Sequence, residues 1–224
     1  MTAITLYTKL FNEISRGGID RVATWAYREL DRIAGGGSPI RAVSHPLGFL
    51  CLPIDRSGDE GVCIHLWLPG TRSATLTTSA MHCHSWDLLS AVVAGELANQ
   101  TFRIVDDVES PQYRVFAVLS DESGDELRAT NRLVRAETVD RTEHRAGDRY
   151  RLRAGVFHRT VVADDQDPVV TVALGVTRDG AVDLSLGSAR TGDHQERREL
   201  CGLGETVRAA ELGRSAVAEL VDTG

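Results

Sequence analysis

Lysine is almost missing from this chain. Lys9 stands alone beside 24 arginines, against 32 acidic residues, for a formal net charge of −7 and a pI near 5.5. A net anion has no global field to concentrate it on nucleic acid or acidic lipid, so neither is expected as a partner. The arginine bias is explained by GC-rich coding as readily as by anion binding, although the planar guanidinium fork suits carboxylates and phosphates. Cysteine is scarce: Cys51, Cys63, Cys83 and Cys201 form no CxxC pair and no dense framework. Reduced thiols and a cytoplasmic location are therefore expected. No run approaches 18 uncharged apolar residues, the length needed to span a bilayer. The first residues carry Lys9 and Glu13 where a signal peptide has its apolar block.

What is present is ordinary globular material, 42% hydrophobic and 25% charged over 224 residues. A chain of this length can bury roughly 70% of the surface its unfolded form exposes. The first 34 residues read as helical. Ile19, Val22, Ala26, Leu30 and Ile33 fall at helical spacing after a Gly17-Gly18 break, and Gly35-Gly36-Gly37-Ser38-Pro39 ends the helix. From about residue 46 to about 178 the pattern changes to short strands. They are predicted at 62–68, 89–97, 101–105, 113–119, 133–139, 150–152, 158–162 and 169–176, with a turn-rich break at Asp121–Asp125. Many short strands without alternating helices suggest an antiparallel sandwich or barrel. The remainder is polar through Arg190–Glu199 and then helix-like from Glu205 to Leu220. This gives an N-terminal helical extension (1–44), a barrel (45–180) and a C-terminal polar and helical tail (181–224).

Met81-His82-Cys83-His84 is the most informative tetrapeptide. Side chains alternate along a strand, so His82 and His84 point one way and Cys83 the other. Two imidazoles on one face are placed to share a metal ion at roughly 2.0–2.1 Å. A second histidine segment runs from Gly147 through Gly155 to His158.

Together the two segments resemble the cupin superfamily, whose motifs read G-x5-H-x-H-x(3,4)-E-x6-G and G-x5-P-x-G-x2-H-x3-N. The first is matched at His82, His84 and Gly95, the second at Gly147, Gly155 and His158. The resemblance covers about residues 45 to 178. It implies an all-β, double-stranded β-helix (jelly-roll) barrel with flanking helical extensions and a metal inside its mouth. Four positions depart from the motifs: Leu76 and Leu88 in the first, Arg153 and Val162 in the second. Leu88 replaces a glutamate that normally ligates the metal. Asp87 is adjacent, but strand parity turns it to the other face unless a bulge intervenes. The resemblance then favours three neutral histidines, His82, His84 and His158.

A three-histidine set leaves coordination positions open, as catalytic metals require, and leaves the ion's +2 charge unopposed. Within the cupins it is similar to the thiol dioxygenases (cysteine dioxygenase-like). That implies iron(II), dioxygen and a small anionic, amino-acid-like or thiol substrate. Those enzymes also carry a Ser-His-Tyr relay, and no tyrosine follows Tyr150 here. Zinc, nickel or manganese in the same site, acting as Lewis acid for a lyase or isomerase, is a second reading. A barrel that only binds a small molecule is a third.

Tyr150, Arg103 and His65 are the candidate catalytic residues. Tyr150 flanks the second motif, as does Phe157, and either shapes the cavity or packs in the barrel wall. Arg103 clamps a substrate carboxylate or is simply solvated. His65 shares a strand face with Trp67, in the pocket or in the core. Trp86 roofs the metal or closes a barrel end. Cys83 is expected to be a core thiol. Arg149, Arg151 and Arg153 form an outer row, solvated or facing a second subunit in a homodimer. His45, His144 and His194 lie in loop-like or polar stretches.

Overall fold

A computed structural model describes residues 4–70, 76–121, 124–163 and 167–221. The Gly17-Gly18 break divides the N-terminal helical segment into α1 (Leu6–Arg16) and α2 (Ile19–Ala34). Thr5 caps α1 by accepting the Thr8 N–H. The C-terminal run forms α3 (Leu203–Val221). Between them lie β1 (Val43–His45), β2 (Phe49–Ser57), β3 (Glu60–Trp67), β4 (His82–Cys83), β5 (Trp86–Ala94), β6 (Glu96–Asp106) and β7 (Tyr113–Asp121). There follow β8 (Gly124–Arg145), β9 (Arg149–Leu152), β10 (Phe157–Val161), β11 (Val169–Thr177), β12 (Leu184–Gly187), β13 (His194–Glu196) and β14 (Glu199–Leu200). No helix among the described residues is long and apolar enough to cross a membrane.

The strands form two seven-stranded sheets, ordered β14-β1-β2-β3-β11-β5-β9 and β13-β8-β6-β10-β4-β12-β7, and all pairings are antiparallel. Consecutive strands from β3 to β6, and again from β9 to β12, switch sheets at every step. That winding is the double-stranded β-helix, with helices at both ends of the chain.

The first sheet is covered on both faces, and its outer face is apolar. In β3, Val62, Ile64 and Leu66 are fully buried and join one cluster with Val22, Ala26, Leu30 and Ile33 of α2 and Ala209, Ala210 and Val217 of α3. The intervening Cys63, His65 and Trp67 line a cavity between the sheets. The protein is thus layered: helices, first sheet, cavity, second sheet. Gly213 allows this closeness, since a Cβ there would stand 2.7 Å from Leu66 Cδ2. The motif glycine Gly95 makes the crossing from β5 to β6. Its φ is 70°, and a Cβ would lie 2.7 Å from the Pro168 carbonyl oxygen.

Two expectations need correction. The barrel does not stop at residue 180, because β12 is inserted between β4 and β7, and β13 and β14 extend the sheets. Val43–His45 likewise belongs to the first sheet rather than to a helical extension. At four residues or fewer, these strands are too short to establish a period of two. At the break expected in Asp121–Asp125, Asp121 pairs with Gly124; Glu122 and Ser123 lie outside the described residues.

Candidate metal centre

The sheet ladder itself brings two of the three motif histidines together. β4 lies between β10 and β12, and His82 is the direct cross-strand partner of His158 on one side and of Ser185 on the other. His84 follows immediately, in the crossover from β4 to β5. That crossover is held by the Gly155 N–H donating to the His84 carbonyl (2.9 Å) and the Ser85 N–H donating to Asp183 Oδ1 (2.5 Å). The ring centroids lie 4.4 Å (His82–His158), 4.7 Å (His82–His84) and 5.1 Å (His84–His158) apart. One nitrogen from each ring falls within 4.8 Å of the others.

Backbone carbonyls orient two of the rings. His82 Nδ1 is 2.9 Å from the Ala80 carbonyl oxygen and His158 Nδ1 is 3.0 Å from that of Val156. A carbonyl can only accept, so each Nδ1 carries the proton and each Nε2 keeps its lone pair, the form a metal ligand requires. His84 is set instead by stacking on Trp86, with centroids 4.1 Å apart and planes at 21°. Burial pushes all three imidazoles below their ordinary value, His158 to about 3, and the neighbouring rings push His84 and His158 further down. The trio is neutral at physiological pH.

Among the described residues no carboxylate joins them. Leu88 lines the cavity and Asp87 faces the other way. Asp87 accepts from the Ala154 N–H (2.9 Å) and from Arg178 (2.7 Å), which hold its carboxyl below the usual range.

The cavity, about 430 Å³, contains these rings together with His65, Trp67, Trp86 and Tyr150. Burial pushes the Tyr150 phenol up, offset in part by the nearby Ser90 and Asn99 side chains. Arg103 is not there. It is 71% exposed, pairs with Glu137 on β8 and lines no part of the cavity, so the carboxylate clamp expected of it does not form. Cys83 and Phe157 alternate away from the histidines and pack with Met81, Val115, Val134 and Leu186. The outer arginine row is engaged: Arg149 donates to the Ile14 carbonyl at the end of α1, and Arg151 lies 3.6 Å from Asp87. His144 stacks on Tyr150 at 4.8 Å, and His194 pairs with Thr77 Oγ1 at 2.8 Å.

His45, expected in a loop, is half-buried in the cavity wall and stacks on Phe49 at 4.4 Å. Asp183, Cys51 and Cys63 are further cavity residues that sequence reasoning passed over. Strand parity with His65 was the one available signal, and it reached only Cys63.

No protein-family model matches the sequence, and no curated protein is similar to it. Solved structures that resemble it in outline include hydroquinone 1,2-dioxygenase PnpCD in complex with cadmium and 4-hydroxybenzonitrile, at 12% identity and a TM-score of 0.34. The match covers 57% of this chain and 63% of that one, so the chain spans under two thirds of the dioxygenase. Another is a conserved protein with a double-stranded β-helix domain from Klebsiella pneumoniae (16% identity, TM-score 0.34, covering 62% of this chain and 80% of that one). A third is a cupin-like protein from Thermotoga maritima (12%, TM-score 0.34, 62% and 77%). Likeness at this level carries nothing about chemistry.

Proposed function

We propose that His82, His84 and His158 hold one divalent metal ion, iron(II) foremost. On this reading the protein is a mononuclear non-haem oxygenase acting on a small polar substrate of amino-acid or thiol type. The observation that carries this is the convergence of three neutral imidazoles on one cavity, His158 buried and the others half-buried, two with their Nδ1 protons already committed to backbone carbonyls. Such a donor set fits a cation with open positions better than it fits a packed core. When bound, the ion supplies Lewis acidity and, as iron(II), redox chemistry toward dioxygen.

The remaining work falls to the chain's own side chains. Trp67, Trp86 and Phe49 form an aromatic wall that excludes water from the rings. Tyr150 keeps its proton and donates a hydrogen bond to a substrate oxygen or nitrogen. Ser90 and Asn99 lie beside the Tyr150 hydroxyl and help set its direction. His65 faces the same space. The cavity's size restricts the substrate to a small molecule.

The test is metal analysis of protein purified without added metal, followed by oxygen uptake with cysteine and related small amino acids. Bound iron with substrate-dependent oxygen consumption is expected. Tightly held zinc, nickel or manganese without oxygen uptake overturns the oxygenase reading in favour of Lewis-acid chemistry. Absence of any bound metal, with none taken up on titration, overturns the metal centre itself.

A further inference from the structure

A second group of donors faces the same cavity and is used by nothing described so far. Cys51 on β2 is the direct cross-strand partner of His65 on β3, and Cys63 precedes His65 by two residues on the same strand face. Antiparallel geometry brings such residues together, because opposed positions and their diagonal neighbours share one face. All three residues line the cavity and are half-buried. Two sulfurs and an imidazole nitrogen lie within 4.8 Å of one another. The His65 ring is fixed by Phe49 (4.7 Å between centroids) and by the edge of Trp67 (5.9 Å).

We propose that Cys51, Cys63 and His65 form a second metal site in this cavity, thiolate-rich and taking a thiophilic cation of the zinc class, with its remaining position open to the cavity. The donors decide the class. Two thiolates and an imidazole are a soft set suited to zinc, whereas the three-histidine set holds its ion through nitrogen alone. Two thiolates also cancel the charge of a divalent ion, as His82, His84 and His158 cannot. Each thiol gives up its proton to solvent as the metal–sulfur bond forms, so no electron is exchanged and no oxidant is needed. The other cysteines are excluded: Cys83 points to the opposite face, and Cys201 packs in the helical cluster.

The full-length protein, reduced and freed of metal, is titrated with cobalt(II) as a spectroscopic stand-in and, separately, equilibrated with zinc. A thiolate-to-cobalt charge-transfer absorption is expected, with a second equivalent of zinc beyond the one on the three histidines. Cys63→Ser and Cys51→Ser should each lose the absorption and that equivalent. His158→Ala should keep both, which separates this site from the proposed three-histidine centre. Because either serine variant can fold poorly, the parent supplies an independent readout. Zinc should protect Cys51 and Cys63 from alkylation by iodoacetamide at least several-fold. No thiolate absorption after full reduction, or equal alkylation with and without zinc, overturns the proposal.

Discussion

Each imidazole of the central trio is held neutral chiefly by its removal from water, and His84 and His158 also by the rings beside them. Its folded-state pKa lies below the ordinary 6.5, and that of His158 near 3. Above about pH 6.5 the folded and unfolded chains bind the same number of protons here, and nothing is lost. Below it the unfolded chain takes up protons the folded one refuses, so stability falls as the pH drops, by about 1.4 kcal/mol per pH unit for His158 down to about pH 3, with His82 and His84 adding in the same direction. The metal-free protein should therefore show a lower urea midpoint at pH 5 than at pH 7.5. A flat midpoint would show that the rings are wetter than this geometry implies. His158→Ala should abolish tight binding at the three-histidine centre, read as metal retained after dialysis. Arg103→Ala, on the exposed surface, should change neither metal content nor substrate-dependent activity. Of these residues the sequence makes His82 and His84 readable by parity, and His158 by motif. It cannot show that Cys51 opposes His65, because that relation depends on the register of β2 against β3. Arg103 misleads for a related reason: its partner Glu137 comes from β8.

At the scale of elements, periodicity finds a strand best where one face differs from the other. β3 reads clearly as a strand because its apolar run is bounded by Pro69-Gly70, although both its faces are covered. β8 is expected only over 133–139 yet runs from Gly124 to Arg145, since much of it is exposed and charged and carries no apolar alternation. β4 has two residues, and its place is fixed entirely by β10 and β12. The crossover glycine is the element whose sequence signal and structural cause agree most directly. Gly95→Ala combines a positive φ with a clash against the Pro168 carbonyl, which a flexible side chain cannot relieve. A loss on the order of 2 kcal/mol or more is expected, measured as a shift of the denaturation midpoint. A loss below about 0.5 kcal/mol would mean that the backbone at Pro168 gives way easily.

For the whole molecule, the helices are structural members of the barrel rather than appendages. Leu30 is fully buried and touches the Gly213 position of α3, and α2 packs on the outer face of β5. Leu30→Ala should cost about 2–4 kcal/mol of unfolding free energy, as a cavity opens where helices and sheet meet. Deleting residues 1–36 should leave a chain that binds a hydrophobic dye and melts without a cooperative transition. A cooperative, dye-free melt would show that the barrel stands alone. The division into extension, barrel and tail suggested by composition thus understates how far one core runs through the chain.

His84 stands where the two sheets meet, its carbonyl accepting from the Gly155 N–H and its neighbour Ser85 donating its N–H to the Asp183 side chain. These tethers come from segments remote along the chain, so the triad exists only once both ends of the winding have closed. Pairings this distant pay their loop-closure entropy early and are rewarded late, which makes such topologies slow to assemble. A cation offered during refolding can therefore trap the finished protein but not nucleate it. Its capture would lag behind the appearance of strand signal and serve as a clock for the last step of folding.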